Sequence, residues 1–511
     1  MRPTLASLLS MTLGLSLAHI AVADSEYESW LKANSFDAQA AQQEFQDYMD
    51  ANDKEFVGFL KQQWKKVELK KPIVLDKTPK PSKLPVAKTP DPKPQTTPQV
   101  TSPIASPIIS KPRKPEPIVK VQPIKPVVEK IKPAPQPKPL IEKITPDPRE
   151  PQIQFEFLAR TISMPKVKTR ALAFNSRLNS KSIAKHWESM ATQKHKHIIQ
   201  ALNAHKANLN LNDWAVALLA NQYSKEIGLY NENAQQLFTW FLLVKSGYDV
   251  RLAYNSNAFV LMPSEQALFG VTYFTMNNQK YYAVSFDTEK VNAGRAYTYS
   301  GKHDSANKNI DFANASRIKP SSAIKSKALS FKFNGGKHKV NLDYDLALVQ
   351  FSNTLPQMNI QYYPQQGLPK QTAEQLLNQL KPLVQGKSEV EAVNLLLRFV
   401  QTSFAYKTDG QQFNKENYLL PIETLHYPYS DCEDRASIFS WLTESLLGLD
   451  AVLLDYPGHI AAAVHFNDSV DGDNLHYNGK TYTVTDPTYI NARVGMAMPQ
   501  FKGNKPKVLN F

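Results

Sequence analysis

The chain has 511 residues, a formal net charge of +14, 36 prolines and a single cysteine. One thiol excludes a disulfide within the chain and any cysteine-built metal cluster. The positive charge does not mark a nucleic-acid face. Residues 67–150 hold 17 Lys and Arg against 8 Asp and Glu, with 21 of the prolines, so most of the basicity lies in one low-complexity stretch.

The chain opens with Arg2, the apolar run LASLLSMTLGLSLAHIAV and the small-residue step AVA before Asp24. These predict a secretory signal peptide over residues 1–23 and a mature protein exported across the inner membrane to the periplasm, with no transmembrane segment after cleavage. An unpaired cysteine is unusual in that oxidising setting. Residues 24–66 predict one amphipathic helix, with Phe45, Tyr48, Met49, Asn52, Phe56, Phe59, Leu60 and Trp64 recurring at spacings of three and four. Such a stripe needs a surface, which the protein's own domains, a second copy or an envelope partner would supply. Residues 67–150 predict a disordered Pro/Lys-rich linker, a tether reaching roughly 260 Å at about 3.1 Å per residue.

Composition turns globular near residue 152. Helical patterns cover 182–206, 213–228 and 234–246, followed by the strand-like runs YDVRLAYN, AFVLMP, GVTYFTMN and KYYAVSF. Residues 315–370 predict a small β-rich segment: 325–363 alternate, with turn signals at NGG and NLD. Helices resume over 371–405. The chain then ends as the first part did, with the helix DRASIFSWLTESLLG and the strands DAVLLDY, HIAAAVHF and KTYTVTD.

A shift of 201 residues lays LFTWFLLVKSGYDVRLAYNSNAFVLMP on IFSWLTESLLGLDAVLLDYPGHIAAAV without a gap. Phe439 meets Phe238, Trp441 meets Trp240, Gly448 meets Gly247 and Asp450 meets Asp249. A one-residue change of offset brings Lys480, Tyr482 and Val484 onto Lys280, Tyr282 and Val284. Two related α+β units follow, over 152–300 and 371–511. At the aligned positions Cys432 falls on Asn231, His459 on Ala258 and Asp486 on Phe286, so the first copy is degenerate at these three places.

Cys432 lies at the start of a predicted helix, where backbone N–H groups and the helix dipole favour thiolate. His459 opens a strand after the turn YPG, and Asp486 ends a strand before Pro487. Brought together, they read as nucleophile, base and orienting carboxylate. Asp431, Glu433 and Asp434 are expected to cap the helix and point away from the sulfur, with Arg435 neutralising one of them. The Cys432 N–H, with Tyr427 or Tyr429 as a second donor, is the candidate oxyanion hole. Plainer readings stand beside these: Cys432 as a small buried hydrophobe, Asp486 as a turn residue, and His426, His465 or His476 in place of His459. The run NDSVDGDN, residues 467–474, is acidic but lacks EF-hand spacing and reads as a hairpin loop. No phosphate loop or dinucleotide fingerprint is present, and no cofactor or metal is expected.

The residues SDCEDRASIFSWLTESLLGLDAVLL, GHIAAAV and TYTVTDPTY resemble the transglutaminase-like superfamily, especially its bacterial cysteine-protease-like members. The resemblance covers about residues 371–495. It implies a papain-like α+β fold for the C-terminal domain and a Cys432–His459–Asp486 triad that forms a thioester on an amide carbonyl. Ile460 and Ala461 follow the histidine where the family has an aromatic. The thioester passes either to water, as in a peptidase or amidase, or to an amine, as in crosslinking. The cysteine-protease-like match favours hydrolysis of a protein or peptide substrate. Two other readings remain: a non-catalytic scaffold binding an envelope polymer or protein, and an enzyme regulated by its N-terminal helix.

Overall fold

The computed structural model describes residues 51–75, 80–87, 151–193, 195–286 and 290–511. The expected signal peptide, residues 24–50 of the expected helix and residues 88–150 of the expected linker lie outside these. Twelve helices and several sheets make up the described residues, an α+β architecture. None of the described helices is long and apolar enough to cross a membrane.

Among the described residues, the apolar stripe of the N-terminal helix is covered by the protein itself. Phe56, Val57 and Leu60 of α1 (Ala51–Lys61), and Trp64 beyond it, are buried. α1 packs on α2 (Ser180–Ala191), with the rings of Phe56 and Trp187 4.7 Å apart. Asp53 on the same helix accepts from Trp187 Nε1 (3.0 Å) and Lys245 Nζ (2.9 Å). Burial opposes its ionisation, but the His303 hydrogen bond and the Lys245 charge hold its carboxyl down at about 2. β1 (Lys65–Leu69) then pairs antiparallel with β9 (Gly294–Thr298). The expected linker from residue 67 therefore begins later: Leu69 is buried, and Gly270 N–H donates to Ile73 O. The first proline is Pro72, so composition averaged over 67–150 hides the short alternating strand KKVEL.

The first unit continues with the hairpin β2 (Gln152–Phe157) and β3 (Arg160–Pro165), then α2, α3 (His195–Leu209), α4 (Asp213–Glu226) and α5 (Glu232–Lys245). The single helix expected over 182–206 is thus two. After α5 come β4 (Arg251–Tyr254), β5 (Ala258–Pro263), β6 (Leu268–Phe269), β7 (Tyr273–Met276) and β8 (Gln279–Tyr282). The main sheet has the order β1-β9-β4-β5-β8-β7.

A hairpin of two ten-residue strands links the units, β10 (Ile324–Phe333) with β11 (Gly336–Asp345). Its turn residues Asn334 and Gly335 both have positive φ (45° and 76°), the conformation that Asn-Gly tolerates. The β pattern stops earlier than expected. Asp345 Oδ1 accepts the N–H of Ala347 at 2.8 Å and starts the helix α6 (Leu346–Ser352). Two short elements follow, β12 (Gln357–Met358), paired with β6, and α7 (Tyr362–Gln366).

The second unit runs α8 (Lys370–Val384), α9 (Glu389–Ser403), β13 (Ala405–Tyr406), α10 (Asp409–Phe413), α11 (Pro421–His426), β14 (Tyr429–Ser430) and α12 (Cys432–Leu447). β15 (Ala451–Tyr456), β16 (His459–Val464), β17 (Asn474–Tyr477), β18 (Lys480–Thr485) and β19 (Lys507–Leu509) complete it, in the order β17-β18-β16-β15-β19. The first sheet reads β7-β8-β5-β4-β9 in the same direction. Each central hairpin follows one apolar helix, α5 or α12, that packs on its second strand. Phe238 and Phe439 are both buried at equivalent places, so the 201-residue echo extends from sequence to topology.

Candidate active site

α12 begins at Cys432 and packs on β16, which begins at His459. β16 pairs with β18, and Asp486 follows the last residue of β18. The topology therefore brings all three predicted residues to one end of the sheet. His459 Nε2 and Asp486 Oδ2 are 2.8 Å apart. The other carboxylate oxygen, Oδ1, accepts the N–H groups of Thr488 (2.9 Å) and Tyr489 (3.2 Å). The Gln401 amide donates to the carbonyls of Asp486, Tyr489 and Ala492, and so fixes the loop that carries the carboxylate. Phe501 stacks on the imidazole with centroids 5.1 Å apart and planes at 6°. All of this holds the ring by its Nε2 edge. Its Nδ1 is buried and has no hydrogen-bond partner among the described residues.

The thiol is fully buried. The N–H of Ile460, the residue after His459, acts to lower the thiol's pKa. Its own proton goes to Glu433 Oε2 at 3.1 Å, and no hydrogen bond joins it to His459. Two expectations fail here. Burial first, then the charges of Glu433 and Asp431, push the thiol well above its ordinary range, although Lys80 and the Ile460 N–H act the other way. The partial charge of a helix N-terminus is outweighed by full desolvation and a carboxylate in contact. Nor does Glu433 point away from the sulfur.

Asp431, Glu433 and Asp434 belong to a buried group of carboxyls that also includes Asp409 and Glu416. Asp434 accepts the N–H groups of Leu419 (2.8 Å) and Asp431 (3.2 Å), and Asp431 Oδ2 accepts that of Asp409 (3.1 Å). Burial and mutual repulsion push Asp409 up to about 9, Asp431 to about 8 and Asp434 well above the carboxylate range. Arg435 makes no ion pair with them, although the charges of Asp431 and Asp434 act on it. Its buried guanidinium donates to Phe404 O (2.7 Å), Gln401 O and Ser430 Oγ, and ties α12 to α9 and β14.

Such a set of oxygens suits a hard cation. The cation on it is the ammonium of Lys80, a residue of the expected linker. Lys80 Nζ lies 2.9 Å from Asp431 Oδ2 and 3.5 Å from Asp409 Oδ2, and also contacts Glu416 and Glu433. Nothing in the sequence around Lys80 distinguishes it from its many neighbouring lysines, and only the fold gives it a place.

Neither predicted tyrosine hydroxyl bonds the sulfur. Tyr427 donates to Asn353 Oδ1 (3.0 Å), and Tyr429 sits under Lys407 with Nζ 4.0 Å from its ring centre. Tyr406 is the residue that sequence reading missed. It pairs with Ser430 across β13 and β14, close enough to Cys432 for the thiol's charge to act on its hydroxyl, and its aromatic neighbour position gave no motif. The rival histidines lie elsewhere: His426 meets Tyr344, His465 bonds Thr481 O and His476 meets Thr481 Oγ1. Residues 467–473 of the run lie in the loop between β16 and β17, and Asn474 begins β17.

No protein-family model, no curated protein and no solved structure matches this chain.

Proposed function

We propose that the protein is an exported cysteine hydrolase of the transglutaminase-like, papain-like type, acting on an amide bond of a protein or peptide. The observation that carries this reading is the orientation of His459. Its Nε2 is clamped on Asp486 at 2.8 Å, which leaves a buried, unpartnered Nδ1 on the residue next to Ile460, whose N–H acts on the Cys432 thiol. A buried imidazole nitrogen without a partner is costly unless it has a proton to receive.

In this reading the Cys432 proton moves to Nδ1 and the sulfur attacks the carbonyl carbon. The Cys432 N–H, free at the first turn of α12, supports the oxyanion. The C–N bond breaks, and the leaving amine takes the proton from His459. Water then gives a proton back to Nδ1 as it opens the thioester, which releases the acid and restores the thiol. Asp486 keeps Nε2 protonated throughout and stabilises the imidazolium.

The thiol's bond to Glu433 favours one other reading, a binding protein whose cysteine is inert. Iodoacetamide alkylation of the single cysteine, followed by intact mass, separates the two. The chain carrying Lys80→Glu is used so that occupation of the site does not mask the thiol. The hydrolase reading expects His459→Ala to slow alkylation at neutral pH by at least about tenfold. Equal rates with and without the imidazole would leave the binding protein standing.

A further inference from the structure

We propose that the carboxylate pocket beside Cys432 is a lysine-recognition subsite for extended peptides, and that the chain's own Lys80–Ala87 segment sits in it as a tethered occupant. This rests on the hydrolase reading and names its substrate class.

The acidic group alone would not establish a site. What does is the way a remote, proline-spaced segment is bound to it at three points. First, the Lys80 side chain is only 10% exposed, and one carboxylate, Glu433, holds its ammonium on Oε1 and the Cys432 thiol on Oε2. Asp431 bonds the same ammonium through Oδ2, while its fully buried Oδ1 has no partner. Second, Tyr406 donates its hydroxyl to the carbonyl of Pro81 at 2.7 Å. Third, Ala87 N–H donates to Ile490 O (2.8 Å), and Ile490 N–H donates to Pro85 O (2.9 Å). Ala87 is buried against Tyr489, Ala492 and Met498. The first anchor lies at the start of α12 with Cys432, the third on the loop that follows Asp486, and Tyr406 on β13, which pairs with β14 just before Cys432, so a peptide held this way runs through the catalytic neighbourhood.

Main-chain bonds plus one selective side-chain pocket is how enzymes and binding domains read extended peptides. Ser82, Lys83 and Val86 are exposed between the anchors, so the groove selects at Lys80 and tolerates variety beyond it. Pro81 and Pro85 restrict the free segment to extended shapes and lower the cost of ordering it. The pocket also separates recognition from acyl transfer. Burial works against the Lys80 ammonium, but the charges of Glu433, Asp431 and Asp409 keep it protonated well beyond the usual lysine range. An amine held there has no lone pair with which to open a thioester, so the pocket reads lysine without using it as an acceptor.

The test is binding, measured without chemistry. A labelled peptide of sequence KPSKLPVA is titrated by fluorescence anisotropy into full-length Cys432→Ser protein, with and without Lys80→Glu. Charge reversal at Lys80 is repelled by the four carboxyls and releases the tethered segment, whose effective concentration is otherwise in the millimolar range. The release variant is expected to bind the peptide at least tenfold tighter than its parent. Norleucine in place of the first lysine should cost at least tenfold. Should Lys80→Glu fold poorly, Lys80→Ala in the same assay and hydrogen exchange at the Ala87 amide give the same comparison. The subsite is overturned if the released chain binds no peptide, or binds the norleucine peptide equally well. Because the serine variant has no thiol, such a failure leaves the alkylation result on His459 unaffected.

Discussion

Asp486→Asn asks whether the carboxylate orients a working imidazole or merely ends a strand. An asparagine at 486 keeps one oxygen for the N–H groups of Thr488 and Tyr489, so the turn survives and its NH₂ faces His459 Nε2. Nε2 must then accept, which moves the ring proton to Nδ1, the nitrogen that has to receive the thiol proton. A hydrogen bond to a charged group contributes about 1.5–3 kcal/mol, and each ~1.4 kcal/mol is tenfold in rate. Loss of that bond alone gives roughly 10- to 150-fold, and the wrong tautomer adds to it. The expected fall in the alkylation rate is at least about tenfold in the Lys80→Glu chain and no larger than that of His459→Ala, with a thermal midpoint within a few degrees of the parent. The tautomer itself is read from imidazole ¹⁵N shifts. A rate within threefold of the parent, in protein where His459→Ala does slow the reaction, would refute the orienting role and return Asp486 to the status of a turn residue.

Other consequences reach beyond the triad. His186 is buried against Phe174 with its Nε2 unpartnered, and burial lowers it from 6.5 to about 4. Its folded value is depressed, so the unfolded chain binds the extra proton. The stability this contributes is complete above pH 6.5 and is lost as pH falls toward 4, by up to about 3 kcal/mol. His186→Phe should flatten that part of the stability curve in urea unfolding between pH 7 and 4, and an unchanged slope would count against it. Asp53→Ala leaves the Lys245 ammonium without its carboxylate and should cost about 3 kcal/mol, seen as earlier proteolytic release of α1. Gly472 has φ +134°, and a Cβ there would lie 2.4 Å from Gly495 Cα, backbone against backbone. Gly472→Ala should therefore lower stability by roughly 2 kcal/mol or more, whereas a loop free to adjust would show no shift in melting temperature.

Much of the site was legible because its parts sit at element boundaries. Cys432 at a helix start, His459 after Tyr-Pro-Gly and Asp486 before a proline are positions that local patterning locates well, and the 201-residue echo ordered the strands around them. What sequence misjudged depended on distance in the fold. Glu433 turns toward the sulfur because Lys80, more than 350 residues away in sequence, arrives on its other oxygen. Val67 and Leu69 looked like part of a proline-rich run because composition is averaged over many residues, whereas strand pairing is decided by five. Tyr406 carries no motif, and its relevance comes from a two-residue parallel bridge to Ser430 that no periodicity announces.

The two copies also show which features the fold itself requires. At the start of α5 the first unit has Tyr230, Asn231, Glu232 and Asn233 where the second has Asp431, Cys432, Glu433 and Asp434. In the first unit these residues are exposed or only partly buried, and neutral amides suffice. Asn231 Oδ1 accepts Ala234 N–H (3.1 Å), and Asn233 Oδ1 accepts the N–H of Ala258, the counterpart of His459 (2.7 Å). The cap and the link to the sheet are made there by amides, with Glu232 exposed. In the second unit three carboxyls are buried completely at the same place. Burying ionisable groups is costly unless they are paired, and an amide would have capped this helix at lower cost. Glu433 holds the thiol on one oxygen and the lysine ammonium on the other, and Asp431 shares that ammonium, whereas Asp434 holds the N–H groups of Leu419 and Asp431.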